Sequence, residues 1–521
     1  MSATGPGEAS GRRGARRARQ VRRGPIVVAV VALLAGAVAV EVVDPGDADE
    51  PRGAASAVGA GIDADTVIPS GDALSTTWYC AEGTTAPDGR APETVFVANL
   101  GGRRARAVVT VMPGDADPQQ RRVEVPAGER VAVDVADVLA APEALQTGGA
   151  LRGPGVVVEV FGSPGIVEHS VRDETSGDEG MGPCARRAGT QWYFGGGTTV
   201  RGAEQYLSLF NPFGDDAVVD VTFLTDGGVQ TPDGVQGLVV PRRTRLAVLV
   251  HEQVRRQERV ATVVEARTGR VVAEQSLRFD GSDGPAGIAL APGAPRLSEE
   301  WWLPFGTTGG DGSALVMIAN FATRGAPLAV RASTGDPAND PPADELEVPG
   351  RAVSAIPVGQ SAPAATELGV SVRGRGDAGA REPVAVVAIA TSAAGVVTDA
   401  GVARPARRWA FAGTLPLADA DATAGAAAAP AEVDTAISVL YPRGSGPVTV
   451  RLRAAPPGGG RPVEVASREV ARGARLTLSL DELELGADQV LVLEATGPVV
   501  AERVVVAPSR RSLGAGVPAA R

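Results

Sequence analysis

The sequence predicts an all-β protein, about four tandem immunoglobulin-like β-sandwich domains after one N-terminal transmembrane helix. Three observations carry this. First, 67 Gly and 40 Pro in 521 residues accompany 44% hydrophobic residues, a mixture too apolar for a disordered chain and suited to turn-rich strands. Second, the five tryptophans fall into four boxes whose first tryptophans are 114, 109 and 108 residues apart. That period is domain-sized, unlike the roughly 20 to 50 residues of a solenoid. Third, apolar and polar residues alternate between the boxes, the period of half-buried strands.

The N-terminus sets the compartment. Residues 1–25 carry seven Arg against Glu8, so this piece is +6 and the rest of the chain −17. An uncharged run follows, Ile26 to Val40, and with Glu41, Val42 and Val43 it reaches 18 residues, about 27 Å of helix against a hydrocarbon core of about 30 Å. Arginines on the cytoplasmic side place everything after Val43 outside. The expected order is a basic cytoplasmic tail at 1–23, a transmembrane helix or signal anchor at 24–43, and a flexible acidic stalk at 44–70. Ala37-Val38-Ala39 also fits a signal-peptidase site, and cleavage near Ala39 would make the chain secreted. Both readings export the bulk of the protein.

Four sandwiches follow, at 71–186, 187–297, 298–404 and 405–511. Their boxes begin at Trp78-Tyr79-Cys80, Trp192-Tyr193-Phe194, Trp301-Trp302-Leu303 and Trp409-Ala410-Phe411. An apolar strand ends in Asn99, Asn211 and Asn320, with Tyr441 in the fourth copy. An alternating strand comes next, then a Val-Pro element (weakened to Val470-Ala471 in the fourth), then a further strand. Each copy closes on what reads as a hairpin, such as VVVEV with IVEHSV. The second copy yields seven strands, near 191–194, 204–211, 217–225, 235–240, 244–250, 261–266 and 271–278, the count of an immunoglobulin-like sandwich. Helical hints are confined to Asp137–Ala144 and Asp419–Ala429.

The box tryptophans read as core plugs with the indole N–H on a carbonyl, and the repeated Asn as a turn cap. Cys80 and Cys184 are the only cysteines; in an exported chain they are expected to form a disulfide across unit one.

Chemistry is sparse. The 50 basic residues are all Arg, which excludes lysine Schiff bases and a P-loop lysine, and the net charge of −11 argues against nucleic acid. No G-x-S-x-G, C-x-x-C or H-E-x-x-H spacing occurs. His169 and His251 read as strand residues. Glu168, Glu274 and Glu502 recur on the closing strand, with Thr398-Asp399 in that place in unit three, as one acid per unit rather than a glycosidase pair. Gly309 to Ser313 and Asp215-Asp216 lack EF-hand spacing. No catalytic, cofactor-binding or metal-ligating residue is assigned.

Ser75 to Thr84 reads S-T-T-W-Y-C-A-E-G-T. With the arginine-rich start, the apolar segment and the downstream copies, the chain resembles an uncharacterised family of actinobacterial envelope proteins, a domain of unknown function, over most of residues 70–510. The resemblance implies anchoring and export and brings no activity or ligand.

The expected function is a non-catalytic, membrane-anchored extracytoplasmic scaffold or binding protein of the cell envelope, whose partner is an envelope protein or a wall polysaccharide. The alternative is a carbohydrate-binding array that uses Trp78, Tyr79, Trp192, Tyr193, Trp301, Trp302 and Trp409. An exported hydrolase is a third reading, opposed by the scarcity of His and of paired acids.

Overall fold

The computed structural model describes residues 68–69, 73–83 and 92–518, with breaks at 115, 140–144, 148–149, 174–175, 305–306, 309–312, 358–365, 378–380, 393–394, 415–433, 508–509 and 516. The basic tail, the apolar run, most of the stalk, the Gly309 loop and the helical hint at 419–429 lie outside these. Among the described residues no helix is long and apolar enough to cross a membrane. At Asp137 there is only a short 3-10 turn, Val135–Asp137.

Eight strands recur four times. The box strand β1 is Ser75–Cys80, Gln191–Phe194, Glu300–Leu303 and Ala406–Phe411. β2 is Glu93–Asn99, Ala203–Asn211, Ser313–Asn320 and Asp434–Leu440; β3 is Ala105–Met112, Ala217–Thr225, Ala326–Ser333 and Val448–Ala454. β4 is Gln119–Val125, Leu238–Val240, Asp344–Val348 and Val463–Val470; β5 is Arg130–Asp134, Thr244–Leu249, Ala352–Pro357 and Arg475–Ser479. β6 is Gly155–Phe161, Val260–Thr268 and Gly369–Gly374; β7 is Gly165–Arg172, Val272–Asp280 and Ala385–Ser392. In unit four a single strand, Leu491–Ala507, serves as both. β8 is Glu179–Pro183, Ala286–Pro292, Gly395–Asp399 and Arg510–Ala515.

In every unit one sheet runs β1-β6-β3-β4 and the other β8-β7-β2-β5, antiparallel throughout. This corrects two expectations. In units one, two and four the supposed closing hairpin is not one, because β6 and β7 lie in opposite sheets; in unit three VAVVAIA and GVVTDAG do pair as a hairpin, Ala385–Ser392 with Gly395–Asp399. Unit two has nine strands rather than seven, because two were missed: the short Gly228–Gln230, which pairs with β3, and β8, Ala286–Pro292, which is buried along nearly its whole length and so lacks the alternation by which a half-buried strand is recognised. In unit three the segments read as β6 and β7 are β7 and β8. Register then assigns the position of the recurrent Glu. Phe96 pairs with Glu168, Ser208 with Glu274 and Ser438 with Glu502, each three residues before the Asn or Tyr. Its unit-three equivalent, opposite Met317, is Val387, not Asp399.

The conserved-looking Asn joins three turns at once. Asn99, Asn211 and Asn320 donate through Nδ2 to the carbonyls of Arg103, Asp215 and Arg324 and to those of Val125, Val240 and Val348. Their Oδ1 accepts a backbone N–H two residues on. In unit four Tyr441 fills this place and is buried. The turn before β5 needs a left-handed residue, supplied by Gly128 and Gly473 but by Arg243 (φ 54°) and Arg351 (φ 55°) in the middle units, where the side chain strains the backbone.

The free edge of β1 is covered by the segment after β8 of its own unit: Tyr79 pairs with Ala185, Tyr193 with Ala294, Trp302 with Val402 and Ala410 with Val517. Unit four therefore runs to Pro518, beyond the expected end at 511. Ala150–Gly153 of unit one also adds to the edge strand Thr244–Leu249 of unit two, leaving less open edge to pair with another chain.

The units are not strung out in line. Each β8 packs against the β8 of both neighbouring units, including the first against the fourth. Unit one's core, with Trp78 and Phe96, is continuous with Ala410, Ala412, Val490 and Val492 of unit four. Four sandwiches close into a ring.

Candidate functional site at the unit junctions

At each junction the segment after the box of one unit meets the β7–β2 face of the next. That face is buried on both sides, which is why β7 lacks alternation: seven of eight residues of Gly165–Arg172 are buried.

Between units one and two, Glu274 reaches into the first sandwich and its Oε2 accepts the backbone N–H groups of Ala81 and Glu82 at 2.8 and 2.7 Å. Its Oε1 lies 3.2 Å from His169 Nε2, while His169 Nδ1 lies 3.0 Å from Glu93 Oε1, all three side chains being buried. Burial alone would lower the imidazole pKa, but the two carboxylates outweigh it and hold the pKa well above 6.5. Burial raises Glu93 to about 7 against the pull of His169, and raises Glu82, which Arg245 partly offsets from 3.9 Å. Arg245 is itself anchored on Ser208 and the Pro154 carbonyl. The Cys80–Cys184 disulfide forms as expected and lies within 4.8 Å of a His169 ring nitrogen; both sulfurs are consumed in the bond and offer no thiolate.

Between units four and one, Glu168 plays the part of Glu274. Its Oε2 accepts the Ala412 N–H at 2.9 Å and a hydrogen bond from Arg503 at 3.0 Å. Arg503 also donates to the Gly413 carbonyl, and Arg130 to those of Ala412 and Thr414.

Between units three and four the box offers Pro304, which has no N–H. Glu502 therefore lacks the donor that its equivalents use, and the Pro304 carbonyl instead accepts from Ser438 and Arg475. Glu502 is hydrogen-bonded to Asp399 from unit three's β8. Two buried carboxyls can do this only by sharing a proton. Burial raises Asp399 to about 7, and burial plus the charge of Asp399 raises Glu502 well above the usual range.

Between units two and three, among the described residues, no buried carboxylate takes this place. Gly195 and Gly196 lie so close to Val386 and Met317 that an added Cβ would meet them at 2.5 Å, and Gln275 donates to the Gly196 carbonyl.

Residues 172–481 match the family described as "Family of unknown function (DUF5719)". The chain belongs to that family. The DUF5719 stretch starts at the end of unit one's β7 and takes in units two and three and unit four through β5, so it contains the junction between units two and three entire, and that between units three and four except for Glu502. No curated protein matches the chain. Among solved structures it is similar to the "Crystal structure of tetra-tandem repeat in extending region of large adhesion protein", at 11% identity, covering 86% of this chain and 100% of that one, with a TM-score of 0.10. Such a score carries no argument.

The box aromatics of this DUF5719 chain are mostly interior. Trp78, Trp192, Trp301 and Trp409 are at most 2% exposed. Three meet a carbonyl, Trp192 on Val271, Trp301 on Val384 and Trp409 on Val499; the Trp78 N–H has no partner among the described residues. Tyr79 is half-buried against the unit-two core. Tyr193 meets Phe321 in a tilted ring contact, centroids 5.3 Å apart, in a groove of about 390 Å³ between units two and three. Trp302 lines the equivalent groove between units three and four, about 800 Å³. His251 is the second residue of a one-turn helix, Val250–Gln253, and contacts the Gln205 carbonyl; Asp216 accepts the Arg242 N–H.

The junction residues Glu82, Glu93, Arg245 and Arg503 were not singled out from sequence. A signal existed: Arg245 in TRLAVL and Arg503 in VVAERVVV are charges inside apolar runs, and a buried charge needs a partner.

Proposed function

We propose that the chain is a non-catalytic, membrane-anchored extracytoplasmic binding or scaffold protein of the cell envelope, of the actinobacterial kind that its box resembles. One observation carries the reading: the recurrent buried groups, Glu168, Glu274, Glu502, Asp399 and His169, are spent on holding one unit to the next, while the open grooves lie on the outward sheet faces. Chemistry at a reacting atom needs a titratable group within reach of substrate; these are sealed inside junctions. The anchor rests on the arginine-flanked apolar run, and the four units are tandem sandwiches closed on themselves as a rigid platform. A glycan-binding array over the box aromatics draws less support, since all five tryptophans are buried, Trp302 included at 6% exposed although it lines a groove.

The test is co-sedimentation of the full chain, in mild detergent, with envelope fractions separated into membrane, peptidoglycan-polysaccharide and membrane-protein material at low and high salt. Saturable retention on at least one fraction is expected; retention on none overturns the reading.

A further inference from the structure

The groove between units three and four differs from its unit-two counterpart in chemistry, although both are built from the same parts. Each has the outward face of β1, β6 and β3 for a floor and the next unit's turns after β2 and before β5 for a wall. The first groove is lined by Tyr193, Val229 and Phe321, with one base, Arg351, and one acid, Glu265. In the second, Trp302 sits among four arginines, Arg331, Arg373, Arg443 and Arg472, against two acids, Glu300 and Asp340; Asp340 is held by the backbone N–H and hydroxyl of Thr334. On a chain that is −17 beyond its basic tail, this is a local concentration of positive charge.

Glu300 shows what the wall does with a carboxylate. Arg373 lies 2.9 Å from it, Arg381 3.5 Å, and Arg443 also pairs with it, while the Arg443 guanidinium lies over the Trp302 ring at 4.8 Å, a cation–π arrangement that fixes the plane of the fork. Arg331 and Arg472 are exposed and, among the described residues, have no ion-pair partner. Two unneutralised guanidinium groups beside a cleft of about 800 Å³ suit a ligand that brings its own carboxylates, which Arg holds in pairs of parallel hydrogen bonds.

The ligand must be read by side chains. β6 lies between β1 and β3, and β3 between β6 and β4, so the floor offers no unpaired backbone edge for an extended peptide. Ser371 and Ser333 supply hydroxyls along the same lining. We infer that this groove binds an acidic polysaccharide, a sugar polymer carrying carboxylates. The inference rests on the binding-protein reading and names its ligand class.

Isothermal titration of the full chain with polygalacturonate, dextran and polyglutamate tests it. Polygalacturonate should bind saturably and more weakly at high salt, and dextran not at all. The R331E/R472E double variant should lose at least tenfold in affinity while keeping the wild-type circular dichroism and thermal midpoint, and R106E/R122E, which removes two equally exposed arginines from unit one, should lose none. Wild-type affinity in R331E/R472E, an equal loss in R106E/R122E, or no polygalacturonate binding overturns the proposal. So does polyglutamate binding of equal strength and equal sensitivity to R331E/R472E, which would mark an acidic-peptide site. Retention of R331E/R472E on the same envelope fractions as wild type would remove this groove and leave the binding-protein reading standing.

Discussion

The carboxylate of Glu168 in the first unit and the backbone N–H of Ala412 in the fourth are 2.9 Å apart across 244 sequence positions. This bond repeats, at the ring closure, the one that Glu274 makes to Ala81 and Glu82 between adjacent units. A linear array would leave the first unit's β7–β2 face and the fourth unit's box end open to water, with the apolar surface of Phe96 and Ala410 exposed. Closure gives every unit two neighbours and removes the need for the polar capping that open repeat arrays require.

Replacing Glu168 by Ala tests the closure. It leaves the fully buried Arg503 without its carboxylate and the Ala412 N–H without an acceptor, a loss of about 3 to 5 kcal/mol for one partner of a buried pair. Denaturant unfolding should report that loss, and small-angle X-ray scattering a larger radius of gyration. E168Q, which keeps an acceptor oxygen, should lose less. An E168A chain with wild-type stability and dimensions would show that the closing bond is dispensable.

The Asp399–Glu502 pair makes stability depend on pH in a predictable direction. In the unfolded chain both acids titrate near 4; in the fold Asp399 is raised to about 7 and Glu502 is higher. The folded state thus holds more protons, and stability falls as pH rises from about 4 through 7. D399N keeps a hydrogen-bond donor beside Glu502 and removes one charge. Thermal midpoints measured from pH 5 to 9 should fall less steeply in D399N than in wild type, and D399N should be the more stable at pH 8. Parallel pH profiles for the two proteins would contradict the shared proton.

How much of this was legible follows from where each residue points. In Ala217–Thr225 one face is core and the other solvent, so alternation located the strand to the residue. β7 and β8 have a second unit on their outer face, so they carry no alternation; the missed β8 and the false hairpin both came from reading them as half-buried. The recurrence of Glu168, Glu274 and Glu502 was visible, but not that their partners are backbone N–H groups of another unit's box. Nothing local to residue 168 points to residue 412. Asp399 was misaligned with the glutamates because unit three carries Val387 at that register, and its real relation is contact with Glu502.

His169 holds two carboxylates together, and its contribution changes with pH in the same direction as that of the acid pair, because in both the folded state holds more protons. Its pKa is raised well above 6.5 by Glu274 and Glu93, so its contribution is fully present below about 6.5, the unfolded value, and is lost as pH rises through the folded one. H169Q should destabilise the protein most below about pH 6.5, where the imidazolium's contribution is fully present, and the deficit should shrink as pH rises to 8 and beyond, toward the raised pKa of the folded imidazole. Differential scanning calorimetry at pH 5 and 8 measures both, and a deficit independent of pH would reduce His169 to a packing residue.

The disulfide should matter for unfolding and be hidden in the folded protein. Cys80 and Cys184 are fully buried and their bond closes a loop of 104 positions, which in the chain-entropy model stabilises by up to about 4.7 kcal/mol. The backbone pair between Tyr79 and Ala185 holds the same two segments together without it, so C80S/C184S should fold and keep the ring while unfolding at lower denaturant. In the wild type, reductant can reach the sulfurs only through opening of unit one or of its junction with unit two. Thiol labelling under dithiothreitol should therefore be slow in buffer and fast in denaturant, and E168A, which loosens the other side of unit one, should accelerate it in buffer. Rapid labelling of the wild type without denaturant would show that the first unit opens locally and that the ring does not protect it.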